Sequence, residues 1–161
     1  MIVISDPSCI GYLIIIDKLS LLRDNFSKII IPQTVHEEIL QLSSQYNLRE
    51  YLHSNWITVN TIINNKLFNE LLQKVDEGES EAIVLSQEIY ADLLLINEQK
   101  GTELARSLGI KTIGLPGVLL LAKERKIIPP VQRISEELTR NTTFRINKIL
   151  YNNILQEANE L

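Results

Sequence analysis

The stretch LLLINEQKG, residues 93–101, runs four apolar residues straight into Asn97 and Glu98. An apolar run this short, entered from Asp92 and left through polar residues, reads as a strand buried on both faces. Such strands belong to parallel sheets, whose crossover helices cover both sides. The same pattern recurs along the chain: IVIS (2–5), KIIIP (28–32, stopped by Pro32), WITVN (56–60) and KTIG (111–114). WITVN is the more polar, which places it towards an edge. Helix-period segments lie between the strands. One covers about 8–23, with Ile10, Leu13, Ile14, Leu19 and Leu22 in register, and another carries Val35, Ile39 and Leu42. Further helices are expected over roughly 64–75, 79–90, 98–108, 116–126, 130–140 and 147–158, with Gly78 ending one helix and the acids after it opening the next. The alternation predicts a three-layer, doubly wound α/β fold: a mostly parallel sheet of about five strands with helices on both faces. A single domain over 1–161 is expected, with the C-terminal helices 130–158 packed on it.

With 45% hydrophobic and 22% charged residues, the composition is that of an ordinary globular protein. The apolar runs IGYLIII (10–16) and IGLPGVLLLA (113–122) are too short or too interrupted to span a bilayer. The opening MIVISD has no basic segment, so a secretory signal is not expected. Cys9 is the single cysteine, which excludes an internal disulfide and fits a cytoplasmic location. The net charge of −4 is unevenly spread. Residues 1–98 hold 14 acidic against 6 basic side chains, and residues 99–148 hold 10 basic against 4 acidic. An acidic half beside a basic half suits a cation-binding cluster flanked by a surface that tolerates phosphates, although uneven solvated helix faces give the same count.

Ligands of doubly wound sheets bind at the carboxyl ends of the strands. The residues there are Asp6 after the first strand, Glu37 and Glu38 in the helix after the second, Glu79 and Glu81 opening the helix before the fourth, and Asn97 and Glu98 after the fourth. Oxygen donors converging from separate segments are what Mg²⁺ or Mn²⁺ requires. Packed carboxylates repel one another unless a cation compensates them. Each residue also has a plainer role: Asp6 as a helix cap, Glu79 and Glu81 at a helix dipole, Glu37 and Glu38 in solvent. Capping does not require them to share one rim, and that joint placement favours a site. Lys100, beside the proposed site, is the best candidate for a phosphate contact. His36 and His53 lack the N/S partners of a zinc site. Cys9 reads as a small buried hydrophobe. Ser8 has no nearby His for a hydrolase triad. GIKTIGLPG lacks the spacing of a phosphate loop.

Taken in order, SDPS (5–8), IPQTVHEEI (31–39), GESEAI (78–83) and GIKTIGLPGVLLLAKERKIIP (109–129) resemble the PIN-domain superfamily, and more narrowly its prokaryotic DUF3368 branch, related to VapC-type toxins. The resemblance runs over about residues 1–130. It implies a metal-dependent ribonuclease using Mg²⁺ or Mn²⁺, with Asp6, Glu38, Glu79 and Glu98 as the catalytic acids. Asp6, Glu79, Asn97 and Glu98 would hold the metal, supported by Ser8 and Glu81. Asn97 departs from the family pattern, since relatives carry Asp at the Asn97–Glu98 position. The resemblance also implies RNA as substrate, a homodimer, and a small antitoxin protein as partner. Two other readings stand beside the nuclease: an inactive relative that binds RNA or protein, and a phosphatase on a similar sheet.

Overall fold

The computed structural model describes residues 1–126 and 130–161; the Ile-Pro that closes the last sequence motif (128–129) lies outside the described residues. Five parallel strands, β1 (Val3–Ser5), β2 (Ile29–Pro32), β3 (Ile57–Asn60), β4 (Leu93–Leu95) and β5 (Thr112–Ile113), pair in the order β3-β2-β1-β4-β5. The predicted three-layer α/β architecture is therefore observed, with the more polar β3 at one edge. Ten helices are described: α1 (Pro7–Ile15), α2 (Ser20–Phe26), α3 (Gln33–Leu40), α4 (Arg49–Leu52), α5 (Asn65–Leu71), α6 (Glu77–Glu88), α7 (Gln99–Ser107), α8 (Leu115–Glu124), α9 (Val131–Asn141) and α10 (Lys148–Glu157).

Side-chain alternation along the strands builds a core on each face of the sheet. Val3, Ile29, Ile31 and Leu95 point to the side covered by α1, α2, α3, α8 and α9. Ile4, Leu94 and Ile96 point to the other side, against Ile83, Leu85 and Ala105 of α6 and α7. Burying a Leu or Ile side chain in this way stabilises the fold by about 2 kcal/mol. The order of winding reverses between the parallel neighbours β1 and β4: from β1 the chain moves outward to β2, and from β4 it moves the other way to β5. The crevice of a doubly wound sheet opens at that switch point.

Three boundaries differ from expectation for identifiable reasons. The helix expected over 8–23 is two helices, because Asp17 takes a left-handed conformation (φ 59°), which a short polar side chain tolerates. The turn brings Ile10 and Leu13 of α1 and Leu21 and Leu22 of α2 into one core. The helix expected from 79 begins at Glu77, because the Asp76 carboxylate accepts the Glu79 N–H at 2.9 Å. Gly78 consequently lies in the first turn of α6 and terminates nothing. The helix expected over 64–75 is shorter, capped by Asn64 and spanning Asn65–Leu71.

The C-terminal helices dock on α8, and Glu160 ties the far end of the chain to them. Its carboxylate accepts from the N–H groups of Val131 (2.8 Å) and Gln132 (3.2 Å) at the start of α9 and lies 3.4 Å from Lys123 Nζ. Glu160→Ala strips α9 of this cap and should cost about 1–2 kcal/mol, read as a lower urea midpoint with unchanged slope.

Candidate functional site

Asp6 follows β1 directly and caps α1, with Pro7 at the first helical position, where a missing N–H costs nothing. Its Oδ1 accepts the Cys9 N–H at 2.9 Å and its Oδ2 accepts the Ser8 hydroxyl at 2.8 Å. The side chain is fully buried. Each carboxylate oxygen still has a lone pair to offer, so capping does not exhaust Asp6 as a donor.

Around Asp6 the starts of α1 and α6 meet α3, which carries Glu38 in its second half. A Cβ on Gly78 would collide with Pro7 Cγ and lie 3.0 Å from Glu38 Oε1, so only glycine lets α6 come this close to α1 and to the Glu38 carboxylate. Gly101 of α7 performs the same service for Glu79, whose Oε2 lies 3.0 Å from where a Cβ would stand. Glu38, Glu79, Asp76, Ser8 and Glu98 all line one cavity of about 260 Å³, closed on its other side by Gly11, Tyr12, Ile15, Ile39 and Leu42. Asp76 was missed in the sequence. Its signal was the spacing Asp76–Glu79, an acid three residues before a glutamate at a helix start, which is a capping pattern. Glu81 faces elsewhere: it is 7% exposed and accepts from the backbone N–H (3.3 Å) and the hydroxyl of Thr34, fastening α6 to the start of α3. Glu37 is exposed.

On the β4 lip, the Asn97 Oδ1 accepts the Leu115 N–H at 2.7 Å and so caps the start of α8. Its Nδ2 lies 3.4 Å from Ser8 Oγ, on the side towards Asp6. The amide oxygen is thus committed to α8, and the donor end faces the acids. Glu98 is exposed and lines the cavity mouth. Lys100 is exposed on the first turn of α7 and lines neither this cavity nor the larger groove beside it.

The electrostatics follow from this crowding. Burial pushes the Asp6 carboxyl up to about 6 against the bonds from Cys9 and Ser8 that lower it. Burial, then repulsion from Asp76, Glu77, Asp6 and Glu81, raises Glu38 to about 7. Burial, then Asp76, Asp6, Glu98 and Glu38, raises Glu79 to about 8, in a side chain only 5% exposed. No lysine or arginine lines the cavity. Among the described residues, no three acidic, His or Cys side chains already stand as a ligand set. The donor chemistry nonetheless fits a hard divalent cation: every polar side chain offered is an oxygen donor, and the surplus negative charge has no protein cation to meet it.

A parallel sheet that gathers carboxylates at its switch point is an α/β layout suited to holding a cation. The family model described as DUF3368: PIN domain matches residues 2–160, and the chain belongs to that family. Among solved structures it is similar to a PilT N-terminus domain protein from the hyperthermophilic archaeon Sulfolobus solfataricus P2, at 21% identity and a TM-score of 0.53, covering 73% of this chain and 90% of that one. That likeness concerns the fold. No curated protein matches the chain. No helix among the described residues is long and apolar enough to cross a membrane.

These carboxyls bind protons more tightly in the fold than at their ordinary values of 3.8 for Asp and 4.5 for Glu. Between those values and about 8 the folded state therefore holds protons that the unfolded chain has released. The resulting stability is present at low pH and is lost as the pH rises through 6 to 8. Thermal melts of metal-free protein should show Tm falling over that window. Added Mn²⁺ should raise Tm most at its alkaline end, where fewer protons compete with the ion.

Proposed function

We propose that the protein is a divalent-metal-dependent endoribonuclease that hydrolyses RNA phosphodiester bonds. The observation that carries this reading is the meeting of Glu38 of α3 with Asp76 and Glu79 at the start of α6 on one cavity without a lysine or arginine, close enough to the buried Asp6 for its charge to raise both glutamates. Asp6 and Glu79 would hold Mg²⁺ or Mn²⁺, with Glu98, Glu38 and Asp76 lining the same cavity. The bound ion supplies Lewis-acid polarisation of the phosphate and a water acidified towards neutral pH.

The chain's own groups set the conditions for that chemistry. Ser8 and the Cys9 N–H hold Asp6 in one rotamer, so that its remaining lone pairs face a fixed direction. With no cation present, Glu79, raised to about 8, keeps its proton at neutral pH and Glu38, at about 7, is near its midpoint; a cation would displace those protons. The apolar wall of Ile15, Ile39 and Leu42 excludes water from one side of the cavity and strengthens every charge interaction within it. In the cell we assign the protein the part of a toxin restrained by a small antitoxin protein and acting as a homodimer, on the strength of its likeness to VapC-type toxins.

The engagement of Asn97 with Leu115 favours a second reading, a relative of reduced or no activity that binds RNA or protein. The experiment that separates the two is RNA cleavage by purified protein with Mn²⁺. Cleavage by the wild type, abolished at least about a hundredfold by Asp6→Asn, supports the enzyme. An inert wild type that gains cleavage with Asn97→Asp supports the second reading.

Asn97→Asp also has a binding signature that does not depend on turnover. One oxygen of the new carboxylate keeps the Leu115 N–H satisfied while the other replaces the amide nitrogen near Ser8, adding a charge beside Asp6. The variant should melt lower than wild type without metal at pH 8. By calorimetry it should bind Mn²⁺ more tightly, by about tenfold for one added charged ligand.

A further inference from the structure

The C-terminal helices enclose a second cavity, of about 570 Å³, that shares no lining residue with the acid-lined one. On one side stand Ser135, Glu136, Thr139 and Arg140 of α9, which share one stripe of the helix because their pairs lie four residues apart. On the other stand Lys148 and Tyr151 in the first turn of α10, three apart and likewise on one face. The volume is within the range that takes a small molecule.

Three features of the lining suit an anion. Ser135 is only 6% exposed, yet its hydroxyl makes no hydrogen bond to a described residue and opens onto the cavity. A buried hydroxyl of this kind takes its partner from whatever fills the space. Arg140 and Lys148 have no acidic partner within ion-pair distance among the described residues, so their donors remain available. The start of α10 adds its dipole. Asn147 accepts the Leu150 N–H at 2.8 Å, which leaves the first N–H groups of the helix to a ligand or to water.

The lining also asks for more than an anion. Glu136 is an exposed carboxylate on the same stripe, 3.4 Å from Gln132 Nε2, with room to accept further N–H groups. Tyr151 is half-buried and brings an aromatic ring. Burial, then the carboxylates of Glu136 and Glu160, raises its phenol, which therefore stays protonated. A simple anion leaves the carboxylate and the ring unused. An amino acid meets both charges but has no flat ring system to set against Tyr151 and fills little of the volume.

We propose that the α9–α10 cavity binds a mononucleotide, with its phosphate on Arg140, Lys148, Ser135 and the start of α10, and its base against Tyr151 with an exocyclic amine towards Glu136. Phosphate at a helix start beside two cations, and a base on an aromatic ring, are each favourable pairings on their own. The site is separate from the acid cluster, and the inference does not depend on the ribonuclease reading. A nucleotide seated there ties α10 to α9, so its binding should also raise Tm.

The test is isothermal titration calorimetry of the full chain in EDTA, which keeps divalent ions off the acid cluster. The probe is adenosine 5′-monophosphate, with inorganic phosphate and adenosine as its two halves. The nucleotide should bind once per chain and at least about tenfold more tightly than either half. Arg140→Gln and Lys148→Gln should each weaken it by about tenfold, the loss of one charge-assisted hydrogen bond. Tyr151→Leu should weaken the nucleotide and adenosine while leaving phosphate unchanged. Lys66→Gln, which removes one positive charge from α5, should leave the affinity as it is, and melting curves check that every variant is folded. No binding by the wild type, affinity unchanged in both cation variants, or phosphate bound as tightly as the nucleotide overturns the proposal. An equal loss in Lys66→Gln marks non-specific charge attraction and overturns it as well.

Discussion

Carboxylates pressed into one recess repel each other, and much of the surrounding structure is arranged around that repulsion. Asp6, Glu38 and Glu79 are drawn together by α3 and the starts of α1 and α6; burial raises all three, and neighbouring acids raise the two glutamates further. Such a cluster persists only if the backbone that carries it cannot relax apart. Gly78 and Gly101 provide the close approach, at positions where any Cβ would collide with a neighbouring side chain. Glu81 fastens α6 to Thr34 from a second direction. The rigidity that keeps the acids together is therefore supplied by packing, and the charge they share is left for protons or a cation to satisfy.

Asn97 belongs to the same balance. At the lip of β4 it stands within reach of Ser8, which already donates to Asp6. An acid in its place adds one more negative charge to a site where Glu79, raised to about 8, already holds its proton at neutral pH. The amide avoids that charge and also caps α8 through Leu115. A less charged rim is more stable when empty and holds a cation less strongly, since both effects come from the same Coulomb sum.

Strand positions were legible because β4 and its neighbours are apolar runs bounded by polar residues, and burial on both faces leaves no other reading for LLLI. The acids Asp6 and Glu79 were legible because a strand-end rule names positions in advance. Asp76 was not, since its three-residue offset from Glu79 reads equally well as the tail of a turn until the helix start is fixed. The break at Asp17 was hidden for a related reason: the apolar residues on either side keep a helical spacing, and the reversal lies in one backbone dihedral. Lys100 is close in sequence to the lip, but on the first turn of α7 it is exposed and lines neither cavity.

The uneven charge of the chain acquires a physical meaning from the fold. The acidic half supplies β1, α3 and α6, whose ends form the recess, while the basic half supplies α7 and the segment before α10, which form the walls of the groove. A polyanion approaching the recess of carboxylates meets repulsion, and only neutralisation of those acids, by protons or by a cation, removes it.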